Sequence, residues 1–264
     1  MSTDPNESSS PAPTLSETPV VYSGVFPPDL VRPQRVLSIQ AHPDDQEFTI
    51  AGTLARWARE GSQVFSIIVT SGDSGDNDPT HTAEYKPILA EIREKEQLAA
   101  NAIIGVAETV FMRYPDGMLQ ATIDLRRDLT RLIRQFKPDA VLTGDPTSRF
   151  FGKNYMNHPD HRAAADAACD AVFPSACTRL IFPELLSAGY EPHNVKYVFM
   201  HGAEHQDAWI DISATIDIKV QALRQHRTQI GDWDVDSEMR KWAADSGKEH
   251  GLPYAESFRL MVIA

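Results

Sequence analysis

Short apolar runs alternating with helix-length amphipathic segments constrain this chain more than any other feature. Val36 to Gln40 reads as a buried strand. Gln46 to Glu60 reads as the helix that follows, with Phe48, Ala51, Ala55 and Ala58 on one face and Ile50, Leu54 and Trp57 beside them. Gly61 is placed to stop it. Gln63 to Thr70 is a second strand with an apolar centre at Phe65, Ile67, Ile68 and Val69. Pro87 suits the first turn of a helix running to Ile104. A strand at Thr109 to Met112, a helix over Leu119 to Phe136 and a strand at Ala140 to Thr143 continue the pattern. Short strands of this kind, apolar in continuous runs, are covered on both faces. The expected fold is therefore α/β: a Rossmann-like, mostly parallel sheet with helices on both faces, in a single domain with right-handed crossovers.

Beyond His161 the pattern loosens. A helix is predicted over Arg162 to Val172, with strands near Leu180–Phe182, Lys196–Met200 and Trp209–Asp211 and a helix near Ile216–Thr228. The acidic, Trp-containing stretch from Gly231 to Gly251 shows no clear period. Residues 1–30, rich in Ser, Pro and Thr, read as a disordered or loosely packed arm, which leaves 31–264 as the domain. A formal charge of −12 argues against a nucleic-acid partner. No apolar run approaches membrane-spanning length, and the N-terminus lacks the basic start and apolar stretch of a signal peptide. The expected address is the cytoplasm. Cys169 and Cys177 have neither a disulfide framework nor zinc-site spacing, so both read as structural thiols.

Two motifs carry the chemistry. Ala41-His42-Pro43-Asp44-Asp45 follows the first strand, and Asn157-His158-Pro159-Asp160-His161 precedes an Ala-rich helix. In an open parallel sheet, ligands bind beyond the carboxyl ends of the strands, so both motifs reach one cleft. Taken singly, each reads equally well as a turn and a helix cap. Together they are the parts of a metal-dependent hydrolase. His42 and Asp45, three positions apart, share a direction in a first helical turn, and His161 adds a third ligand. Zinc suits such a set, and iron(II) fits the same donors. Asp44 then points elsewhere, as general base toward water. His158 would stabilise the oxyanion or protonate the leaving amine, with Asp160 holding its imidazole.

At these residues the chain resembles the PIG-L/LmbE-like family of zinc-dependent N-deacetylases. The likeness extends to Glu47-Phe48, Gly52-Thr53-Leu54, Thr70-Ser71-Gly72-Asp73, Arg93, Tyr114-Pro115-Asp116-Gly117 and Glu256-Ser257-Phe258, and covers roughly residues 35–230. It implies a Rossmann-like fold, His42, Asp45 and His161 as metal ligands, Asp44 as base and His158 as the group that assists charge development. It also implies a substrate contact at Arg93, which by itself reads as a solvated helix charge. Asp116 falls in a matching loop and is taken as a second substrate contact. Several sugar deacetylases of the family carry a tyrosine two residues before the first histidine of the second motif. Here that place is Met156, with Tyr155 next to it as the third expected substrate contact.

The expected activity is removal of an N-acyl group, an N-acetyl above all, from an amino-sugar-containing small molecule or glycoconjugate. Two alternatives are an amidase of a thiol conjugate or modified antibiotic, and a metal- or sugar-binding protein without turnover. Gly72-Asp73-Ser74-Gly75 is similar to a serine-nucleophile loop, but Asp76 follows where that loop needs glycine. No Gly-rich dinucleotide fingerprint follows the first strand. His201 and His205 lie near a strand end within reach of the cleft, and His226, on a helix with Arg224 and Arg227, is expected to pack or pair locally. Trp57 reads as core, whereas Trp209, Trp233 and Trp242 could pack or line a sugar site.

Overall fold

A computed structural model describes residues 22–24 and 32–263. Of the predicted N-terminal arm, only Tyr22–Gly24 falls among them, as a short strand β1. The rest of that expectation lies outside the described residues.

Eight strands form one sheet in the order β1-β9-β10-β8-β5-β2-β3-β4. They are β2 (Arg35–Gln40), β3 (Gln63–Thr70), β4 (Glu108–Tyr114), β5 (Ala140–Gly144), β8 (Tyr197–His201), β9 (Ala208–Asp211) and β10 (Ala255–Val262), together with β1. A small hairpin, β6 (Phe150–Phe151) and β7 (Tyr155–Met156), stands apart. The β8-β5-β2-β3-β4 part is parallel, and β10 and β1 add antiparallel pairings at the other side. The sheet is thus mostly parallel, as the apolar runs imply. The chain winds from β2 outward to β4 and returns to the other side of β2 with β5. The loops after β2 and β5 therefore diverge and open a crevice at the switch point.

Two cores cover the sheet. Leu37, Ile39, Phe65 and Ile67 pack on one face with Leu125 and Leu129 of α4 (Ile123–Phe136) and Ala164 and Ala168 of α5 (Pro159–Asp170). Val36, Val64, Leu142 and Phe199 face the other way. They meet Leu54 and Trp57 of α2 (Ala51–Arg59), Ile104 of α3 (Lys86–Ile104) and Ile218 of α7 (Ile216–Leu223). No helix among the described residues is long and apolar enough to cross a membrane. Cys169 and Cys177 are free thiols, partly buried.

Several boundaries differ from expectation for identifiable reasons. The helix predicted over 46–60 divides at Ile50 into α1 (Asp45–Thr49) and α2. The break is made from outside: the Glu256 carboxylate accepts the N–H groups of Gly52 and Thr53 at 3.0 and 2.7 Å and caps α2. Gly61, at φ 96°, ends α2 as predicted. No strand forms at 180–182; Leu180 is exposed, and the segment turns into α6 (Pro183–Ser187). The helix predicted to Thr228 also divides, into α7 and α8 (Arg227–Ile230), with His226 at the turn. The unassigned 231–251 stretch contains α9 (Val235–Gly247), whose buried stripe is Val235, Met239 and Ala243. Its exposed Trp242 and its charges blur that period in the sequence.

Candidate active site

The turn after β2 and the start of α5 meet at the crevice. His42 Nδ1, His161 Nε2 and the Asp45 carboxylate converge there. The separations are 3.1 Å between the two nitrogens, 3.0 Å from His161 Nε2 to Asp45 Oδ1 and 3.6 Å from His42 Nδ1 to Asp45 Oδ2. Donors surrounding one tetrahedral ion at about 2.0–2.2 Å stand about 3.4 Å apart, so the triangle fits a single divalent metal. The far nitrogen of each imidazole faces an acceptor, which favours the tautomer such an ion requires. His161 Nδ1 donates to Asn157 Oδ1 at 3.2 Å, and Asn157 is itself oriented by its Nδ2 donating to Ser148 O at 2.8 Å. His42 Nε2 faces Asp116 Oδ1 at 3.0 Å and Asp160 Oδ2 at 3.4 Å. His42 Nδ1 and His161 Nε2 face each other, a juxtaposition that a cation between neutral rings would satisfy.

The electrostatics agree. Burial alone would lower the His42 pKa, but the carboxylates of Asp116, Asp160 and Asp45 outweigh it and hold the ring well above its usual range. Burial would likewise raise Asp45, yet the His161 and His42 rings hold it well below the normal carboxylate range. Such a cluster is built around positive charge.

Asp116 and Asp160 have jobs the sequence did not indicate. Asp116 was expected to touch substrate. It is buried, with one oxygen on His42 and the other accepting Ser74 N–H at 2.6 Å. Asp160 was expected to orient His158. Its oxygens instead accept Gly117 N–H at 2.7 Å and Leu119 N–H at 3.1 Å and face His42, while His158 Nδ1 is 4.0 Å away. Both carboxylates thus fix the ring of His42. Ser74 Oγ faces Asp116 O and Lys86 Nζ, with no histidine among its hydrogen-bond partners in the described residues, so the serine-nucleophile likeness has no catalytic geometry.

Asp44 lies beside this set in a left-handed conformation, φ 93°, that a non-glycine residue adopts at a cost. Arg93 holds it there. The guanidinium donates to Asp44 Oδ2 at 3.0 Å, Pro43 O at 2.7 Å and Gly72 O at 2.8 Å. Arg93 is 4 % exposed, so it is neither a solvated helix charge nor, as placed, a free arm for substrate. The spacing of α3 carries the signal: Arg93 and Gln97 share the buried face of Leu89, Ala100 and Ile104. Burial pushes the Asp44 pKa up to about 6, against the Arg93 charge, a range suited to proton transfer near neutrality.

Behind Asp44 runs a buried polar chain. Asp44 N–H donates to Gln97 Oε1 at 3.0 Å, Gln97 Nε2 donates to Glu47 Oε1 at 3.0 Å, and Glu47 Oε2 meets His226 Nε2 at 3.2 Å. His226 is fully buried and pairs across the fold rather than with Arg224 or Arg227. Its helical spacing from Val220 and Leu223, both buried, was the missed signal.

His158 completes the floor. Its Nδ1 accepts Asp160 N–H at 3.2 Å, which leaves Nε2 as the protonated, donating nitrogen of the neutral ring. Burial and the nearby His42 and His161 rings lower its pKa, which favours the neutral ring. Its ring centroid is 4.9 Å from that of His42. His201, at the end of β8, lines the cleft; its Nε2 donates to Gln40 Oε1 at 2.9 Å, and burial lowers its pKa to about 4. Tyr155, on β7, is 56 % exposed at the rim.

Two histidines and a carboxylate that could hold a divalent ion, with a separate buried carboxylate at the switch point of a doubly wound sheet, are an arrangement suited to metal-assisted hydrolysis. Comparison with known proteins makes this specific. Residues 37–172 match the model of the PIG-L, or GlcNAc-PI de-N-acetylase, family, and the chain belongs to that family. It is 29% identical over 231 residues to diacetylchitobiose deacetylase of Thermococcus kodakarensis, covering 86% of this chain and 83% of that protein. It is 30% identical over 203 residues to a probable N-acetyl-alpha-D-glucosaminyl L-malate deacetylase of Bacillus anthracis, covering 74% and 81%. The structure of N,N'-diacetylchitobiose deacetylase from Pyrococcus horikoshii superposes with a TM-score of 0.80 at 28% identity, over 88% of this chain and 85% of that one. The chain is accordingly an enzyme of the N-deacetylase type, a hydrolase of carbon–nitrogen bonds.

Proposed function

We propose that this enzyme hydrolyses the N-acetyl amide of an amino-sugar-containing small molecule, using zinc held by His42, Asp45 and His161. The observation that carries the reading is the convergence of those three donors with the two ring tautomers fixed from behind by Asp116 and Asn157. A divalent ion at this set would polarise the amide carbonyl and acidify water beside it. Asp44 accepts the proton of the attacking water, its carboxylate steadied by Arg93. His158 presents Nε2–H to the oxygen that gains charge as the carbonyl becomes tetrahedral. The proton taken by Asp44 then passes to the departing amine, leaving a free amino sugar and acetate. The identity of the relatives as deacetylases of N-acetylated sugars supports the substrate class.

The test is acetate release from a panel of N-acetylated glucosamine derivatives, with metal content measured on the same preparation. One bound zinc per chain and acetate release abolished by a chelator and restored by zinc are expected. Full activity in Asp44→Ala, or acetate release untouched by chelation, would overturn the mechanism.

A further inference from the structure

His201 lines the cleft with Asp45 and His161, yet the chemistry proposed above gives it no task. It pairs with Gly144 at the carboxyl end of the β5–β8 ladder. In the sheet β5 lies between β8 and β2, and the ring crosses it to reach Gln40 on β2. Gly144 puts no side chain in the way; a Cβ there would touch His201 Cε1 at 3.8 Å.

The Gln40 amide fixes what this ring can do. Gln40 is buried, and its Nε2 lies 3.2 Å from Ser38 Oγ and 3.5 Å from Leu142 O. A main-chain carbonyl only accepts, so that atom is the donating nitrogen and Oε1 is the atom that faces His201. His201 Nε2 must then carry the proton that Gln40 Oε1 accepts at 2.9 Å. In the neutral ring the lone pair is left on Nδ1. Among the described residues Nδ1 makes no hydrogen bond, and it is not one of the fully buried atoms without a partner, so it is open to the cleft. Nor does His201 belong to any group of described side chains that could share an ion. Nδ1 is thus an acceptor that cannot become a donor without breaking the bond to Gln40. Water satisfies it in an open cleft. A molecule that displaces the water must offer an O–H or N–H there, or leave the lone pair without a partner.

The scissile nitrogen is not that donor. The charged groups that act most on His201 are Asp45, His161, Lys219 and Asp145. Those that act most on Asp44 are Arg93, Asp45, His226 and His42. Asp45 alone is common to both sets, so His201 and Asp44 stand on different sides of it. The departing nitrogen takes its proton from Asp44 and belongs on that side. What reaches Nδ1 is a neighbouring group of the same ring, which on a sugar is a hydroxyl.

We infer that His201 is a specificity-determining residue whose Nδ1 accepts a hydrogen bond from a hydroxyl of the sugar ring that carries the acetamido group. Gln40 positions it by holding the proton on Nε2. This rests on the N-deacetylase reading above and deepens it: a ring with that hydroxyl deleted is discriminated against.

The experiment measures acetate release from N-acetylglucosamine and its 3-, 4- and 6-deoxy analogues by the zinc-loaded wild type, His201→Gln and His201→Asn, with zinc content and melting temperature recorded for each protein. The longer amide of His201→Gln keeps a donor for Gln40 and leaves no acceptor at the Nδ1 position. In His201→Asn the amide oxygen takes the place of Nδ1. Deletion of one of the three hydroxyls should lower wild-type kcat/KM by about 10- to 100-fold. In His201→Gln the same deletion should matter by less than about threefold, and in His201→Asn most of the wild-type penalty should return. No penalty at any position in the wild type, or penalties of equal size in wild type and His201→Gln, would overturn the inference while leaving deacetylation intact. Absence of acetate release by the wild type from all four sugars would count against the deacetylase reading alone. The contact is then read by calorimetric binding of the same sugars to the same proteins: discrimination lost in His201→Gln supports it, and discrimination unchanged overturns it.

Discussion

Asp44, on the floor of the cleft, is 8 % exposed, its carboxylate held by Arg93 and its N–H by Gln97. Trp242, on the rim, is 47 % exposed and stands beside another open tryptophan. On the floor the carboxylate and the N–H of Asp44 each have a defined partner, and low dielectric makes such bonds strong and their loss expensive. On the rim, apolar surface is left in water, at a cost recovered when a ligand covers it. The difference separates two tasks: positioning of reacting groups to a fraction of an ångström, and recognition of a molecule that must enter and leave.

The sharpest way to break this comparison is at the floor. Asp44→Asn keeps the shape of the side chain and removes the proposed base. Acetate release should fall by about a thousandfold, with metal stoichiometry unchanged by elemental analysis. Retained activity would mean that the floor does not supply the proton transfer.

A core tryptophan provides the stability reference. Trp57 is fully buried against Phe199 at 5.3 Å, so Trp57→Ala should cost about 3–5 kcal/mol in urea unfolding. A smaller effect is expected behind the base. His226→Gln cuts the polar chain to Asp44 at its far end, and kcat should drop by about tenfold with KM nearly constant. The same variant tests the charge of the pair. Burial lowers the His226 pKa, but the Glu47 carboxylate outweighs it and raises the folded value above the ordinary 6.5. The stabilisation is therefore complete below the unfolded value and is lost as pH rises through the folded one. The gap in melting temperature between wild type and His226→Gln should be widest near pH 6 and narrower at pH 9. A gap independent of pH would assign His226 a packing role only. The smallest effect belongs to the rim: Trp242→Ala should change unfolding free energy by less than about 1 kcal/mol. A loss as large as that of Trp57→Ala would show the rim tryptophan to be part of the core.

The two regions were unequally legible. His42, Asp44 and Asp45 fall within one turn, and His158 and His161 within another, so local spacing alone places them at strand–helix junctions. Arg93 and Gln97 were legible only in part: their residue types suggest solvent, but their period along α3 matches the buried Leu89 and Ile104. Asp116 and Asp160 could not be assigned from spacing. Which imidazole each serves depends on a loop after β4 folding onto the start of α5, and Asp160 reaches a histidine 118 positions away. The buried stripe of α9 was missed because the exposed Trp242 and the charges around it blur the helical period, so Trp242 could be read only as packing or lining a site.

By itself, then, the amino-acid sequence determined the parallel sheet and the placing of the two motifs at its strand–helix junctions, because strand and helix periods and the geometry of a single turn are set by neighbours along the chain, while the reaction family followed from the resemblance those motifs carry. Tertiary structure alone decided the rest. It turned Asp116 and Asp160 to His42, set Glu256 at the start of α2 from 204 positions away and brought Phe48, Phe151, Tyr155, Trp233 and Trp242 to the cleft that Asp45 and His161 line. Those features arise from packing between segments remote in sequence, where no local period records which side chain will face which.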